Sequence, residues 1–354
     1  MISIGKTPIG GGSVYVIAEA GVNHNGDIEI AKKLIDAARG AGADAVKFQT
    51  FTPEEMVTEH AAQAEYQAEN TGIVESQASM LQKLTLPRES YAELKTYTEN
   101  AGIEFLSTPF SIPDADFLAS LNVSAYKVSS GDLTNLPFLT HLARSGKPVI
   151  ISTGMATLPE VQEAFETLKK SGAVGIVILQ CTSEYPTPLS HANLRVLKTL
   201  QDAFDVPIGY SDHTEGRDAS IYAVSLGATV IEKHFTLDRN MEGPDHKASL
   251  EPTGLREMIA KIRETKIGSL TVPEEILGSA DKKPTLEEQV TAKLVRKGIA
   301  ARANIRKGEE LNEKNIFIAR PEGPVAPREW DAVLGKHAAA DIPAGESLSP
   351  QMIV

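Results

Sequence analysis

The chain has 354 residues and an apolar content of 42%, so it is long enough to bury a large core. Its formal net charge of -12 argues against general nucleic-acid binding, which depends on Lys and Arg neutralising phosphates. The single cysteine, Cys181, excludes an intramolecular disulfide, and no apolar run approaches the roughly 20 residues that span a bilayer, so we expect a soluble, cytoplasmic protein without a membrane partner.

The first segment, ISIGKTPIGGGSV, predicts a short hairpin, and a repeating pattern follows it. Each repeat consists of an apolar run rich in Val and Ile, a polar or glycine turn, and an amphipathic helical stretch. The eight predicted strands are 14–20, 45–49, 104–108, 125–128, 148–152, 175–180, 207–210 and 229–234. The helical stretches that follow them are 29–41, 88–101, 113–121, 136–144, 159–171, 193–204, 218–226 and 253–266.

This alternation favours an α/β fold, a (β/α)8 or TIM barrel, over residues 1–266. A doubly wound open sheet is the second interpretation, but the first strand is not followed by a G-x-G-x-x-G turn. In a barrel the active site lies at the carboxyl ends of the strands. The segment 51–86 is longer than a usual βα loop, and at that face it predicts a lid or a substrate wall.

The pattern changes after the eighth helix. Residues 267–292 are polar and punctuated by proline, which predicts a linker over the barrel surface. Residues 293–354 contain two similar segments, ANIRKGEELNEKNI and ADIPAGESLSPQMI, with a glycine turn at Gly308 and at Gly345. Two copies of a strand, a turn and a short strand predict a small β-rich domain with pseudo-twofold symmetry, which must dock onto another surface because it buries little core alone.

Two histidines follow neighbouring predicted strands, His213 after the seventh and His234 at the end of the eighth. If these strands are parallel neighbours, their ends lie roughly 5 Å apart and both imidazoles can bind one divalent ion. For either histidine alone, a turn cap or a strand end is the simpler interpretation. The two together, with carboxylates nearby in the sequence, predict a divalent metal site.

Two lysines, Lys47 and Lys127, lie within otherwise apolar strands. An unpaired buried ammonium is costly, so these lysines favour a bound phosphate or carboxylate, with hydroxyl groups at nearby strand ends as further ligands. One alternative is a metal-free lyase that forms a Schiff base on a lysine. Another, from a different class, is a sugar-binding protein without catalysis, in which the small domain is the binding module.

A set of motifs carries a resemblance to a known family. The motifs are AEAGVNHNGD, KFQTF, FLSTPF, YKVSSGD, ISTGMAT, CTSEYPTP, GYSDHTEG, IEKHFTLD and GPDHKASLEP. Together they closely resemble bacterial sialic acid synthases (N-acetylneuraminate synthases) and the related legionaminic acid synthases, over essentially the whole chain. The final domain resembles the antifreeze-protein-like (SAF) module of these synthases. The resemblance implies a transferase that condenses phosphoenolpyruvate with the open-chain aldehyde of an N-acetylmannosamine-type sugar, releasing phosphate and giving a nine-carbon 2-keto acid.

The resemblance also implies roles for individual residues. Mn²⁺ or Mg²⁺ would bind His213 and His234, and Glu19 would lie beside the reacting carbons, positioning the attacking water or the sugar. Phosphoenolpyruvate would be held by strand-end residues, namely Lys47, Thr108, Lys127, Ser130 and Ser211, with Ser183 as a further phosphate contact. Asp132 would be another substrate-binding residue. Gln49, Tyr185 and Asp245 would contact the sugar. Arg320 would enter the active site of a partner subunit, which implies a domain-swapped homodimer.

The sequence departs from the family pattern at three places. Ser183 stands where some members have Asn, which weakens that phosphate contact or routes it through water. Asp132 replaces the Glu of the commoner SGE motif, so its carboxylate reaches less far. The sequence RPEGP replaces RPGNG after Arg320, which changes the loop around that arginine. GVNHNG and GPDHKASL are slightly closer to legionaminic acid synthases, but the acceptor sugar, the preferred metal and the dimer affinity are not readable from the sequence.

Overall fold

The structure is a computed structural model that describes residues 2–59 and 61–354. A hairpin of β1 (Ile2–Ile4) and β2 (Thr7–Ile9) comes first, as predicted. Eight parallel strands follow: β3 (Tyr15–Gly21), β4 (Ala45–Thr50), β5 (Glu104–Pro109), β6 (Tyr126–Val128), β7 (Val149–Ser152), β8 (Ile176–Cys181), β9 (Ile208–Asp212) and β10 (Val230–His234). The last two strands, β11 (Gly298–Ala301) and β12 (Ile316–Ala319), form a separate antiparallel pair.

The helices alternate with the parallel strands and continue into the final domain. Those of the barrel and its long loop are α1 (Ile28–Ala41), α2 (Pro53–Met56), α3 (Glu65–Thr71), α4 (Gln77–Leu84), α5 (Arg88–Ala101), α6 (Ile112–Ser120), α7 (Leu136–Ala143), α8 (Leu158–Lys170), α9 (Val196–Ala203), α10 (Asp218–Ser225) and α11 (Pro252–Glu264). Beyond them lie α12 (Glu274–Leu277), α13 (Leu286–Val295) and α14 (Trp330–Val333). None of these helices is long and apolar enough to cross a membrane.

The eight parallel strands form the predicted barrel. Their hydrogen-bonded order is β5-β4-β3-β10-β9-β8-β7-β6. The first and last strands of this order, β5 and β6, also lie side by side, so the sheet closes on itself. Because each strand returns through a helix on the outside, both faces of the sheet are buried. The (β/α)8 prediction is confirmed, and the open-sheet alternative is not.

Helix α1 shows why the helices begin and end where they do. The Asp27 carboxylate accepts hydrogen bonds from the backbone N–H groups of the first turn, and Gly42 ends the helix at a φ of 88°. A left-handed residue costs glycine little because it has no Cβ. Leu34 and Ile35 lie in the buried stripe that packs this helix against the sheet.

The barrel interior is filled at its amino-terminal end by apolar side chains. The residues of this interior cluster are Ile4 and Ile9 of the hairpin with Tyr15, Ile17, Ala45, Leu106, Ala125, Ile150, Val177, Leu179 and Val230. The hairpin therefore closes the bottom of the barrel. Any polar cavity must lie above this layer, at the carboxyl ends of the strands.

The final domain has the predicted pseudo-twofold symmetry. Ile305 and Ile342, equivalent positions in the two similar segments, exchange backbone hydrogen bonds of 2.8 Å in both directions. Gly308 and Gly345 both have a φ of 81°, which explains a glycine at each turn.

The segment between the two domains was predicted to be a linker over the barrel surface. The structure instead shows α12 and α13 there, with Lys282 and Glu288 4% and 2% exposed. Leu158 donates a backbone hydrogen bond to the carbonyl of Lys282, so this segment joins the loops at the mouth of the barrel. The domain limits of 1–266, 267–292 and 293–354 stay predictions.

Candidate active site

One cavity lies at the carboxyl ends of the barrel strands, and all but one of the predicted site residues line it. These are Glu19, Lys47, Gln49, Thr108, Lys127, Ser130, Ser183, Tyr185, Ser211, His213, His234, Asp245 and Arg320. The structure places Asp132 elsewhere. The cavity is also lined by residues that were not among the predicted site residues, chiefly Glu232, Tyr66, Gln67 and Cys181.

The alternation of side chains along a strand explains this convergence. Tyr15 and Ile17 belong to the apolar layer inside the barrel, so Glu19, two positions further on, points to the same interior at the upper level. The same spacing leads from Ala45 to Lys47 on the next strand. On these strands the interior therefore changes from apolar to polar at the height where the cavity begins.

The centre of the cavity is a network of opposite charges. Lys47 Nζ lies 2.7 Å from Glu19 Oε2 and donates a 2.9 Å hydrogen bond to Thr108 Oγ1. Glu232 lies 3.3 Å from Lys127 Nζ and 3.8 Å from Lys47 Nζ. Because all four ionisable groups are almost fully buried, the two ammonium groups are held in place by the two carboxylates before any substrate enters.

Burial and these partners shift the pKa values in different directions. Burial alone would lower the pKa of Lys47, but Glu19 and Glu232 outweigh it and raise that pKa, so Lys47 stays an ammonium. For Lys127, burial outweighs Glu232 and lowers the pKa. Burial raises the pKa of Glu19 to about 7, with Glu232 adding to the rise and Lys47 opposing it. Glu19 therefore gains or loses a proton near neutral pH.

The two histidines lie side by side with their ring centroids 5.4 Å apart. His213 Nδ1 lies 2.7 Å from the carbonyl oxygen of Thr182, so in the neutral ring the proton is on Nδ1 and Nε2 has the lone pair. Burial would lower the pKa of this ring, but Cys181 and the Thr182 carbonyl outweigh burial and raise it. Burial, with the charge of His213 next in importance, lowers the pKa of His234 well below its usual value. His234 is therefore neutral, and its buried Nδ1 has no hydrogen-bond partner among the described residues.

This arrangement fits a metal. Two adjacent imidazoles with lone pairs, one of them buried and unsatisfied, are the donor set that divalent first-row ions prefer. A second group of potential ligand atoms lies outside the cavity: those of Glu184, His191 and Glu287 are all within 4.8 Å of one another. Glu184 already accepts a 2.6 Å hydrogen bond from Thr285, so its carboxylate has a structural role there.

Two serines approach each other at one wall of the cavity. Ser130 Oγ accepts a 3.0 Å hydrogen bond from the N–H of Gly154. A Cβ added to Gly154 would lie 2.1 Å from Ser183 Oγ and 2.8 Å from Ser130 Oγ, so glycine is needed for this approach. The hydroxyl groups of two separate loops are thus brought together where the predicted phosphate ligands belong.

Another part of the cavity wall is aromatic. Tyr185 lies 4.1 Å from His213 and stacks on Tyr66 of α3, with ring centroids 5.0 Å apart. Asn70 of the same helix donates a 2.6 Å hydrogen bond to the carbonyl of Pro244, next to Asp245. The long loop after β4 therefore covers the cavity, as its length predicted. Only long-range contacts bring Tyr66 here, so no sequence signal identified it.

Arg320 reaches the cavity from the final domain of the same chain. Its backbone N–H donates a 3.0 Å hydrogen bond to the carbonyl of Met56, and its guanidinium lies 5.4 Å from the ring centroid of Phe110. Its Nη1 donates a weak 3.4 Å hydrogen bond to Gln77 Oε1. Burial lowers its pKa, although Asp132 opposes the change. The resemblance implied the arginine of a partner subunit at this place.

Asp132 is the predicted substrate-binding residue that lies outside the cavity. Its carboxylate is fully buried, forms a 2.9 Å ion pair with Lys297 and accepts a 3.2 Å hydrogen bond from Asn135. The 3₁₀ turn Ser130–Asp132 directs Ser130 and Asp132 to different sides. Asp132 thereby fastens the start of the final domain to the barrel instead of facing a substrate.

A barrel that presents buried lysines, carboxylates and paired imidazoles to one cavity has the make-up of an enzyme for anionic substrates. Residues 34–270 match the NeuB family, and residues 296–354 match the SAF domain. The chain belongs to the NeuB family, with a SAF domain at its carboxyl end.

Individual relatives agree with this placement. The N,N'-diacetyllegionaminic acid synthase of Campylobacter jejuni is 45% identical over 91% of this chain and 95% of its own. The enzyme of the same name from Legionella pneumophila is 42% identical over 94% of this chain and 93% of its own. Among solved structures, a spore coat polysaccharide biosynthesis protein of Bacillus subtilis superposes with a TM-score of 0.87 at 36% identity, covering 100% of this chain and 99% of its own.

The raised pKa of Glu19 gives a testable pH dependence. Below a pH of about 7 its carboxyl group is protonated and cannot accept a proton. We expect kcat/KM of the wild type to rise with pH through this value. We expect Glu19→Gln to lower turnover by about 10²-fold or more, and to lose that rise. A Glu19→Gln enzyme with the wild-type pH profile would contradict a role of Glu19 as the proton acceptor. Glu99→Gln, an exposed carboxylate on α5 outside the cavity, is the control and should keep the rise.

Proposed function

We propose that this protein condenses phosphoenolpyruvate with the open-chain aldehyde of an N-acetylmannosamine-type sugar, releasing phosphate and giving a nine-carbon 2-keto acid. One observation carries the proposal: Lys47 and Lys127, both buried, face the same cavity as Glu19 and the two histidines. An acidic protein has to concentrate positive charge locally to hold a substrate with several negative charges. The names of the relatives support the same chemistry.

Each group of cavity residues has a separate proposed role in this reaction. Lys47 and Lys127 neutralise the phosphoenolpyruvate, while the hydroxyl groups of Ser130 and Ser183 receive its phosphate. The carboxylate of Glu19 holds or accepts the proton of the water that attacks C2. Tyr185 and the other residues of the aromatic wall orient the sugar.

We propose that His213 and His234 hold a divalent metal, Mn²⁺ or Mg²⁺, in this reaction. Such an ion, when bound, would polarise the aldehyde oxygen of the sugar. The Thr182 carbonyl keeps the His213 ring in the tautomer that leaves Nε2 available. Protein residues supply two neutral ligands here, so coordination positions remain for the sugar oxygen and for water.

For the acceptor we propose a 2,4-diacetamido-2,4,6-trideoxy sugar, which would make the product N,N'-diacetyllegionaminate. The names of the two relatives at 45% and 42% identity favour it. So does the lining of the cavity, because one side is formed by apolar residues, namely Val22, Met56, Met80, Leu81 and Leu84. Such a surface suits the methyl group of a 6-deoxy sugar better than a hydroxyl group. N-acetylmannosamine, which would give N-acetylneuraminate, is the second candidate.

A single assay tests both proposals. The enzyme is given phosphoenolpyruvate, Mn²⁺ and either sugar, and phosphate release and product mass are measured. We expect sugar-dependent phosphate release, with kcat/KM about tenfold to 100-fold higher for the trideoxy sugar. Equal values would remove the sugar preference alone. Borohydride trapping of a pyruvate adduct on Lys127, without sugar-dependent phosphate release, would favour a Schiff-base lyase, and no turnover at all would favour a binding protein.

We also propose a homodimer in which the final domains are exchanged, so that Arg320 of each chain serves the other barrel. The resemblance supports this exchange. If the segment between α11 and α13 crossed to the partner subunit, Arg320 would occupy the equivalent position in the partner's cavity. Mixing inactive His213→Ala and Arg320→Ala variants tests it. In an exchanged heterodimer one cavity keeps both residues, so activity should reappear. Without exchange the mixture stays inactive.

A further inference from the structure

Glu288 lies in α13, between the two domains, yet its side chain points into the mouth of the barrel. It is the third residue of the helix and is only 2% exposed. A buried carboxylate is costly unless it is hydrogen-bonded. Its partners therefore indicate what it is there to hold.

One oxygen of Glu288 accepts hydrogen bonds from two different barrel loops. Oε1 lies 2.7 Å from the N–H of Met155, in the loop after β7, and 2.8 Å from the N–H of Ser183, in the loop after β8. The other oxygen, Oε2, accepts from the N–H of Thr285 at 3.1 Å, which fixes the side chain to its own helix. The carboxylate thus joins two loops that are far apart in the sequence.

These two loops carry one wall of the cavity. Gly154, next to Met155, donates to Ser130 Oγ at 3.0 Å and lies against Ser183. Met155 has a φ of 61°, an unusual backbone conformation for this residue type that surrounding contacts must hold. Arg296 supplies one such contact by donating a 2.6 Å hydrogen bond to the carbonyl of Met155, and Glu288 supplies the contact to its N–H.

We infer that Glu288 is a positioning residue for the phosphate end of the anionic substrate. It sets the distance between the loops after β7 and β8, and through Gly154 it sets how closely Ser130 and Ser183 approach each other. It does not touch the reacting atoms. This inference rests on the proposed function, because the wall is assigned to phosphate there.

The test compares Glu288→Ala with Glu288→Gln. Alanine leaves the N–H groups of Met155 and Ser183 without an acceptor, and we expect KM for phosphoenolpyruvate to rise by about tenfold to 100-fold. KM for the sugar should change little. Inhibition by inorganic phosphate should weaken in parallel. Glutamine can still present its carbonyl oxygen to both N–H groups, so we expect its effect to be about threefold or less. Gln289→Ala, on the exposed side of the same helix, should behave as the wild type.

Amide hydrogen exchange separates this inference from the proposed function, because it needs no activity. In Glu288→Ala the amides of Met155 and Ser183 should exchange faster, and in Glu288→Gln they should stay protected. Faster exchange with an unchanged KM for phosphoenolpyruvate would reduce Glu288 to an anchor and overturn the inference. So would an equal rise of both KM values. If the wild type releases no phosphate from phosphoenolpyruvate, the proposed function is wrong. If the amides of Met155 and Ser183 exchange at the wild-type rate in Glu288→Ala, the proposed contact between Glu288 and the two loops is wrong as well.

Discussion

Replacing His213 with alanine should lower turnover by about 10³-fold or more, because it removes one of the two ligands of the proposed metal, which when bound would stabilise transition-state charge by several kcal/mol. The fold should remain intact. The ring makes one backbone hydrogen bond, to the carbonyl of Thr182, and one 3.8 Å contact with Cys181 Sγ, and it otherwise faces Tyr185 and the cavity. Phosphate release with Mn²⁺ measures the first effect, and far-UV circular dichroism checks the second. His234→Ala should give the same result.

Direct binding of Mn²⁺, followed by calorimetry, locates the ion independently of activity. We expect His213→Ala to bind Mn²⁺ about tenfold to 100-fold more weakly than the wild type. The comparison variant is His191→Ala, because Glu184, His191 and Glu287 form the other group of potential ligands. If His191→Ala loses the ion and His213→Ala keeps it, the metal lies outside the cavity. Full activity of His213→Ala in chelator-treated buffer would end the metal proposal.

Much of this site was predictable because, in a barrel, the position of a residue along its strand determines where its side chain lies. The spacing of two residues along a strand decides which side chains face the interior, and the carboxyl end decides the height. That is why Lys47 and Lys127 could be assigned to one cavity from separate strands. The same spacing in IEKH places Glu232 and His234 inside and Lys233 outside. The sequence pattern therefore predicts that Glu232 faces the cavity, although Glu232 was not among the predicted site residues.

Other parts of the site depend on contacts that no local pattern encodes. Tyr66 lies on a short helix in a long loop, and only its stacking on Tyr185 shows that the helix covers the cavity. Glu288 is separated from Ser183 by 105 positions, so a polar segment gave no sign of a buried carboxylate. Asp132 is the reverse case: it follows a strand end, but its ion pair with Lys297 turns it away.

A buried ion pair on the outer side of the barrel strands, Lys233–Asp212, should have a large effect on the stability of the protein. Lys233 and Asp212 immediately precede His234 and His213, are completely buried, and form an ion pair of 3.1 Å. Ser220 donates a 2.6 Å hydrogen bond to Asp212 Oδ2, so the carboxylate has a further partner. We expect Lys233→Met to lower the free energy of unfolding by about 3–5 kcal/mol, because it leaves the Asp212 carboxylate buried without a counter-charge.

Urea unfolding followed by circular dichroism measures this change in the barrel, whereas fluorescence of the single tryptophan, Trp330, reports on the final domain. Lys198→Met is the control, because the Lys198–Asp202 pair is 73% and 62% exposed and should contribute about 0.5 kcal/mol or less. In the double variant Lys233→Met/Asp212→Asn the uncompensated charge is gone, so much of the stability should return. A double variant as unstable as the sum of its single variants would show that the two side chains are not coupled, and packing would then explain the loss.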